Sequence, residues 1–359
     1  MRWSYTLGRI KGTEIKVHVT FLLLLAYFGY LAYREAGTAA ALAEMLLLLA
    51  FFLCILLHEF GHVTMARRFG VRTPDILLLP IGGVARLERI PDVPRQELLI
   101  ALAGPAVTLA IILLLFLVAL ATGQAVVLRD PFGPGTPFVV RLLVSNLFVL
   151  AFNLLPAFPL DGGRVLRALL AYRLGLVRAT RIAGTVGQIF AVGLGILGVM
   201  MDAPLTMLVA FFIFLGAGSE AGAVATRMAG QGLQVSQMMV TQFQRIPVHA
   251  TLSQAVDLLL AGEQREFPVV DNLGRTEGML TRDNLIRGLS QRGPGASVAE
   301  AMTPSAPTVA PTLGFQEALD RLRASGLPAL PVVDAAGSLV GLLTMDNITD
   351  LLLVRRALG

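Results

Sequence analysis

Residues Phe52–Gly70 read FLCILLHEFGHVTMARRFG: an apolar run interrupted by His58, Glu59 and His62 and closed by Arg67 and Arg68. Imidazoles and carboxylates are costly inside an apolar span, so their presence there marks a functional site by default. The H-E-x-x-H spacing puts two histidines at i and i+4, on one face of a helix, where both can ligate one metal ion. The glutamate beside the first histidine can act on a water at that metal, and zinc lowers the pKa of such a water to about 7. Gly61 within the motif lets a second backbone approach this helix. The competing reading is of two unrelated histidines at a helix end near the interface. Three costly groups in metal-binding register argue against it.

The rest of the chain supplies the setting. Of 359 residues, 55% are hydrophobic and 15% charged, with a mean hydropathy of +0.72. That balance points to a polytopic α-helical membrane domain. The single Cys54 excludes an internal disulfide framework. A net charge of +5 spread between hydrophobic segments gives no case for nucleic acid. Met1–His18 is polar and mixed in charge, and the apolar run after it lacks a small-residue cleavage site, so no cleaved signal is expected. Membrane helices are predicted over Ile15–Tyr33, Ala39–Met65, Leu98–Ala121, Val139–Leu155, Ile182–Met201 and Leu205–Ala225, each near the roughly 20 residues that cross a bilayer.

Arginine places the loops. Arg67, Arg68, Arg72, Arg86, Arg89 and Arg95 lie between the second and third helices, and Arg164, Arg167, Arg173, Arg178 and Arg181 between the fourth and fifth. The opposite loops hold little beyond Arg34, Arg129 and Arg141. The positive-inside rule puts both termini in the cytosol of a multi-pass protein of the plasma or inner membrane.

A catalytic zinc takes three protein ligands and keeps a fourth position open. His18 and His249 have no reinforcing motif; His18 reads as an interfacial residue and Cys54 as a small hydrophobe. The best third ligand is Asp161, in FNLLPAFPLDGGRVLR over Phe152–Arg167. Pro156, Pro159, Gly162 and Gly163 break the helix there, and unwound backbone at membrane depth is tolerated where it lines a cavity. The second and fourth helices both run toward the cytosol, so the two motifs can meet just inside that face. Asp161 could instead cap the helix that follows. Between the second and third helices, LLLPIGGVARL (Leu77–Leu87) is apolar yet carries a turn unsuited to a long helix. It reads as a short re-entrant hairpin or edge strand able to hold an unwound substrate by strand addition, or as a plain re-entrant loop.

After Arg227 the composition changes and an internal repeat begins. VSQMMV at Val235 is answered by VAEAMT at Val298, FPVVD at Phe267 by LPVVD at Leu330, and GMLTRDNL at Gly278 by GLLTMDNI at Gly341. All three pairs keep one offset of 63 residues (298 − 235, 330 − 267, 341 − 278), which means two copies of one unit. Each copy reads helix, strand, strand, helix.

This tandem resembles a pair of cystathionine-β-synthase (CBS) domains, over about Val235–Val354. HEFGH and NLLPAFPLDGG resemble the site-2 protease family of intramembrane metalloproteases, in the branch carrying C-terminal CBS domains, and AGP (Ala103–Pro105) resembles a landmark of its third helix. The resemblance implies that His58, His62 and Asp161 bind Zn²⁺, that Glu59 is the base, and that Asn153 contacts substrate or the developing oxyanion. It implies a membrane domain over residues 1–228 and an α/β CBS pair over 229–359, with repeats at about 235–290 and 298–354. CBS pairs commonly bind adenine nucleotides. Here Thr281 and Thr344 fit the ligand motif, with Asn284 and Asn347 where an aspartate is usual and Asp283 and Asp346 one step early. Two readings of the pair stand: a sensor of ATP or AMP, and a structural module with a possible role in homodimerisation. The implied partners are the lipid bilayer and a membrane-protein substrate, either a transmembrane regulator or a signal-peptide remnant. From a different class, a CBS-regulated channel or transporter could use the same polar residues to bind an ion.

Overall fold

The protein's structure is a computed structural model that describes residues 3–80, 82–88, 93–124, 133 and 135–358. Ile81, Arg89 and Arg129, used in the readings above, lie outside the described residues. Before the first apolar run the chain builds a hairpin that its polar composition does not announce. Strands β1 (Ser4–Ile10) and β2 (Thr13–His18) pair antiparallel. Lys11 and Gly12 turn between them with φ of 47° and 85°, the left-handed pair that suits a two-residue hairpin. The first helix therefore starts at Val19 and not Ile15. His18 caps it, its Nδ1 accepting from the Thr20 N–H at 3.3 Å.

Helix α1 (Val19–Arg68) leaves helical geometry at Ala36 and Gly37, where Gly37 has φ 79°. Its two arms fold back on each other, Phe21 against Phe52 with ring centroids 4.5 Å apart. The two predicted helices are these arms. Leu77–Leu87 contains a hairpin, β3 (Asp75–Leu79) and β4 (Gly82–Ala85), so the strand reading of this segment holds. β3 lies parallel to β2, giving one sheet in the order β1-β2-β3-β4. Helices α2 (Pro94–Ala121), α3 (Phe138–Asn153), α4 (Asp161–Met200) and α5 (Pro204–Ala229) follow.

The structure corrects one boundary in particular. α4 starts at Asp161, not Ile182, and is interrupted at Gly175, with φ 74°. Residues 164–181, read as a loop from their arginines, are helical, and Arg167 is wholly buried. The break expected at the LDGG motif is the non-helical stretch 154–160, between α3 and α4. α1, α2, α4 and α5 are long and apolar enough to cross a bilayer, and α3 is a shorter apolar helix. Their outer surfaces expose large apolar side chains, among them Leu113, Leu114, Phe116, Leu117 and Leu120 of α2. A monomer in water rarely exposes so large an apolar surface, whereas lipid accepts it.

The chain divides into two compact units, Met1–Val224 and Ala225–Gly359. In the second, each repeat adds a short strand to its predicted elements. The first holds β5 (Ile246–Pro247), α6 (Leu252–Leu260), β6 (Glu266–Val270), β7 (Thr276–Thr281) and α7 (Arg282–Arg292). The second holds α8 (Val298–Ala301), β8 (Thr303–Pro304), α9 (Phe315–Ser325), β9 (Ala329–Val333), β10 (Leu339–Thr344) and α10 (Met345–Leu358). The repeats interlock. β8, near the start of the second repeat, pairs with β7 of the first, and Val240, near the start of the first repeat, bridges to Leu342 of the second. These pairings are themselves related by the repeat, since Thr303 opposite Met279 maps onto Val240 opposite Leu342 (303 − 240 = 342 − 279 = 63). Each repeat buries its own core, Leu252, Phe267, Val269 and Leu280 in one and Phe315, Leu330, Val332 and Leu343 in the other.

Candidate metal centre

The second arm of α1, after Gly37, carries His58 and His62 on one face, both buried, and α4 opens with Asp161, also buried. His58 Nε2, His62 Nε2 and Asp161 Oδ2 form a triangle with every side 3.1 Å. The far side of each ring is held. His62 Nδ1 lies 2.7 Å from the Ile100 carbonyl and His58 Nδ1 2.8 Å from Thr108 Oγ1. A carbonyl only accepts, so His62 Nδ1 carries a proton, and in the neutral tautomer that this hydrogen bond selects the Nε2 lone pair points toward Asp161 and His58. Three electron-rich atoms thus face one point, an arrangement that a cation between them resolves. Tetrahedral zinc with bonds of 2.0–2.1 Å sets its ligand atoms about 3.3 Å apart, close to this triangle. Outer partners that fix the rings of ligating histidines are the usual support of such a site.

α2 makes room for the imidazoles with bare backbone. A Cβ on Gly104 would lie 2.2 Å from His62 Nε2 and 2.7 Å from His58 Nε2. On the facing helix a Cβ on Gly61 would lie 2.6 Å from the Ala103 carbonyl oxygen. The AGP segment is therefore where the two helices touch. Among the described residues no other group of three His, Cys, Asp or Glu side chains converges in this way. Cys54 packs instead with Leu47 and Leu142, and His18 caps a helix.

Beside the triangle lies a cavity of about 570 Å³, lined by Glu59, Asn153, Arg164, Glu220 and residues of β4. Glu59 Oε2 accepts from the Ala85 N–H at 3.2 Å. β4 is the edge of its sheet and passes so close that a Cβ on Gly83 would lie 2.6 Å from Glu59 Cγ. Asn153, the last residue of α3, faces the same space just before the unwound stretch that delivers Asp161.

An ion pair beneath this cavity escaped the sequence reading. Arg167 Nε donates to Glu97 Oε1 at 2.7 Å, its Nη1 donates to Glu220 Oε1 at 2.8 Å, and its guanidinium lies 4.9 Å from the Phe158 ring centroid. It ties α2, α4 and α5 together at the level of the site. A signal for part of it exists. Glu97, Ala101, Gly104 and Thr108 recur at helical spacing along one stripe of α2. Arg167 gave no such signal, because an arginine just past a membrane motif ordinarily marks a loop.

In the second unit Thr281 and Thr344 cap helices. Their Oγ1 atoms accept from the N–H groups of Asn284 and Asn347 at 3.2 Å and 3.1 Å. Asn284 Nδ2 donates to Thr303 Oγ1 at 3.0 Å, and Asn347 Nδ2 to the Met238 carbonyl at 2.7 Å. A cleft of about 1510 Å³ is lined by Thr344, Asp346 and Asn347, together with Phe243, Glu266 and Arg282. The first repeat's pair does not line it, and Thr281 is buried. Burial, and then the nearby Asp346, push the Glu266 carboxyl above its ordinary range.

Comparison with known proteins agrees with this geometry. The sequence model of peptidase family M50 matches residues 46–139 and 132–194, and that of the CBS domain matches 235–291 and 298–354. A zinc metalloprotease of Methanocaldococcus jannaschii is 32% identical over 285 residues, covering 79% of this chain and 80% of that protein. Rip3 of Mycobacterium tuberculosis is 30% identical over 385 residues, covering 99% of this chain and 94% of that protein. The solved site-2 protease from Methanocaldococcus jannaschii is 35% identical over 61% of this chain and 95% of that chain, with a TM-score of 0.47. The two sequence relatives set aside the channel or transporter reading. Relatives at 32% and 30% identity, matched over 80% and 94% of their own length, together with the two family models, show the family: the chain belongs to peptidase family M50, the site-2 protease family of zinc metalloproteases, and carries a tandem CBS pair.

Proposed function

We propose that this protease hydrolyses peptide bonds of membrane-spanning substrates near the cytosolic face, in regulated intramembrane proteolysis. The observation that carries the reading is that Glu59, the three-ligand cluster, Asn153 and the edge strand β4 share one cavity. His58, His62 and Asp161 hold the zinc. When bound, zinc supplies a Lewis acid that acidifies water and polarises a carbonyl. Glu59, oriented by the Ala85 N–H, takes the proton of the attacking water on its carboxylate and delivers it to the leaving amine. Asn153 donates its side-chain N–H to the oxygen on which charge develops. A substrate helix must unwind before attack, and its freed amides need partners in lipid. The β4 edge offers them by strand addition.

Counting the two arms of α1 and the five-helix order, we read six crossings with both termini cytosolic, in the plasma or inner membrane. Residues 1–228 form the protease domain and 229–359 the regulatory pair. The substrate is a transmembrane regulator or a signal-peptide remnant. Adenine nucleotide, as ATP or AMP, modulates the enzyme through Thr344 and Asn347, with Thr281 and Asn284 as the related pair of the first repeat, and the CBS units support a homodimer. Glu59→Gln keeps the shape of the side chain but cannot take the proton. Membranes holding this variant are expected to retain zinc and to accumulate intact substrate that the wild type removes. Cleavage by Glu59→Gln at near the wild-type rate would sink the reading.

A further inference from the structure

The sheet that brings β4 to Glu59 has a second edge, β1, and its surface is unlike the rest. In β1, Tyr5 sits opposite Val17, Gly8 opposite Ile15 and Ile10 opposite Thr13. Paired residues share a face, so these lie on the side where β2 is buried. There Val17 packs with Phe21, Phe52 and Val63 of α1. Along β1 the same face is bare: Tyr5 is 63% exposed and Ile10 47%. Trp3, two residues before Tyr5, is 68% exposed, and Leu7, at the bulge, 70%. The Trp3 carbonyl accepts from the Val19 N–H at 2.9 Å, so this patch begins beside the first residue of α1. Just beyond it α1 exposes Leu22, Leu23 and Tyr27. Exposed apolar side chains thus stand both on the strand and at the start of the first apolar helix. The charges lie elsewhere: Arg9 is on the opposite face, paired across the strands with Glu14, and Lys11 is at the hairpin tip. Lys16 is neutralised by Glu14 and Asp75, each at 2.9 Å, leaving Arg9 and Lys11 as the exposed cations of β1 and its turn.

We propose that β1 is a lipid contact: Trp3, Tyr5, Leu7 and Ile10 lie in the headgroup–acyl boundary of the leaflet where α1 begins, and Arg9 and Lys11 meet its anionic headgroups. Tryptophan and tyrosine favour that boundary because one end of each is apolar and the other wet. A basic segment next to a membrane span is drawn to anionic lipid. The proposal rests on the reading that α1 enters the bilayer at Val19, and not on which side of the membrane that is. It gives the sheet two different edges, one seated in lipid and one presented to substrate.

Trp3 is the chain's single tryptophan, so its emission reports on this face alone. The full-length protein is reconstituted into phosphatidylcholine vesicles, with or without phosphatidylserine, and Trp3 is excited beyond the tyrosine band. The expected result is a blue-shifted emission, most of which is lost to lipids carrying a quencher high on the acyl chain and little of which is lost to aqueous acrylamide. Phosphatidylserine should deepen the lipid quenching, and Arg9→Glu with Lys11→Glu should remove that increment. Tyr5→Ser with Leu7→Ser should move quenching from lipid to acrylamide. Quenching of the wild type by acrylamide alone overturns the proposal, since the face is then in water. Protection from both quenchers also overturns it, because protein then covers the face. A lipid quenching indifferent to phosphatidylserine overturns the headgroup contact. If the membrane domain failed to enter the bilayer at all, the protein would not sediment with the vesicles, which separates failed reconstitution from the other outcomes.

Discussion

The metal centre and the cleft of the second unit are both lined by polar side chains carried on or beside helices, and they differ in what else those side chains could be doing. At the metal centre each imidazole is fixed from behind, and its remaining nitrogen faces a carboxylate and the other ring. No structural task explains that convergence, and burial makes it costly. In the second unit, Thr344 at the cleft and its counterpart Thr281 outside it already cap α10 and α7, and Asn347 and Asn284 already tie their helices to neighbouring segments. A threonine at an N-cap is ordinary chemistry in water. Polar side chains therefore identify a function where they converge in an apolar setting without a structural task, and leave it open where capping and tying already account for them.

The sharpest way to break this contrast is at Asp161. Asp161→Asn replaces a carboxylate by a neutral amide, a poorer ligand for a dication. Metal analysis of the purified variant should show zinc largely lost, together with all activity. A full zinc complement would mean that another group completes the site. Gly104→Ala should give the same loss with every ligand intact, because its Cβ would occupy the place where the His62 nitrogen sits.

The buried ion pair comes next in size. Arg167→Met leaves Glu97 and Glu220 without their cation, and removing one partner of a buried pair costs about 3–5 kcal/mol. Thermal unfolding in detergent should show that loss, and adding Glu97→Gln should recover part of it. No recovery would mean that Arg167 acts through packing on Phe158. Asn153→Ala should then lower kcat about 10²-fold with zinc retained and KM little changed, the usual cost of one oxyanion donor. A change confined to KM would make Asn153 a substrate-binding residue.

These residues also show what sequence alone could reach. HEFGH and LDGG were legible because each spends charge in an apolar run, and the spacing fixes their geometry on a helix. The repeat was legible because one offset governs strands, cores and cross-repeat pairings alike. The β1–β2 hairpin was not, since its exposed strand has no buried–exposed alternation to betray it. Nor was the role of Arg167, whose partners lie 70 and 53 positions away. Long-range pairing of a buried charge leaves no local pattern.

The smallest effect tests the other side of the contrast. If the cleft binds adenine nucleotide, the two repeats should not contribute equally. Thr344 and Asn347 line it, whereas Thr281 is buried and outside it. Millimolar ATP or AMP should change the cleavage rate of the full chain. Thr344→Ala should blunt this response, and Thr281→Ala should do so less. The acids lining the cleft add a pH dependence. Burial and Asp346 hold the Glu266 carboxyl above its ordinary range, so it stays protonated to higher pH than a free glutamate. Raising the pH through that interval ionises Glu266 beside Asp346, which costs folded-state stability and opposes a phosphate in the same space. Nucleotide affinity should therefore fall with rising pH, by roughly a few-fold for a partly solvated charge, and Glu266→Gln should flatten the curve and tighten binding. Adenosine, having no phosphate, should show little of this dependence. If neither ATP nor AMP at millimolar concentration alters cleavage, the capping threonines and tied asparagines are structural after all, and the pair serves as a docking or dimerisation surface.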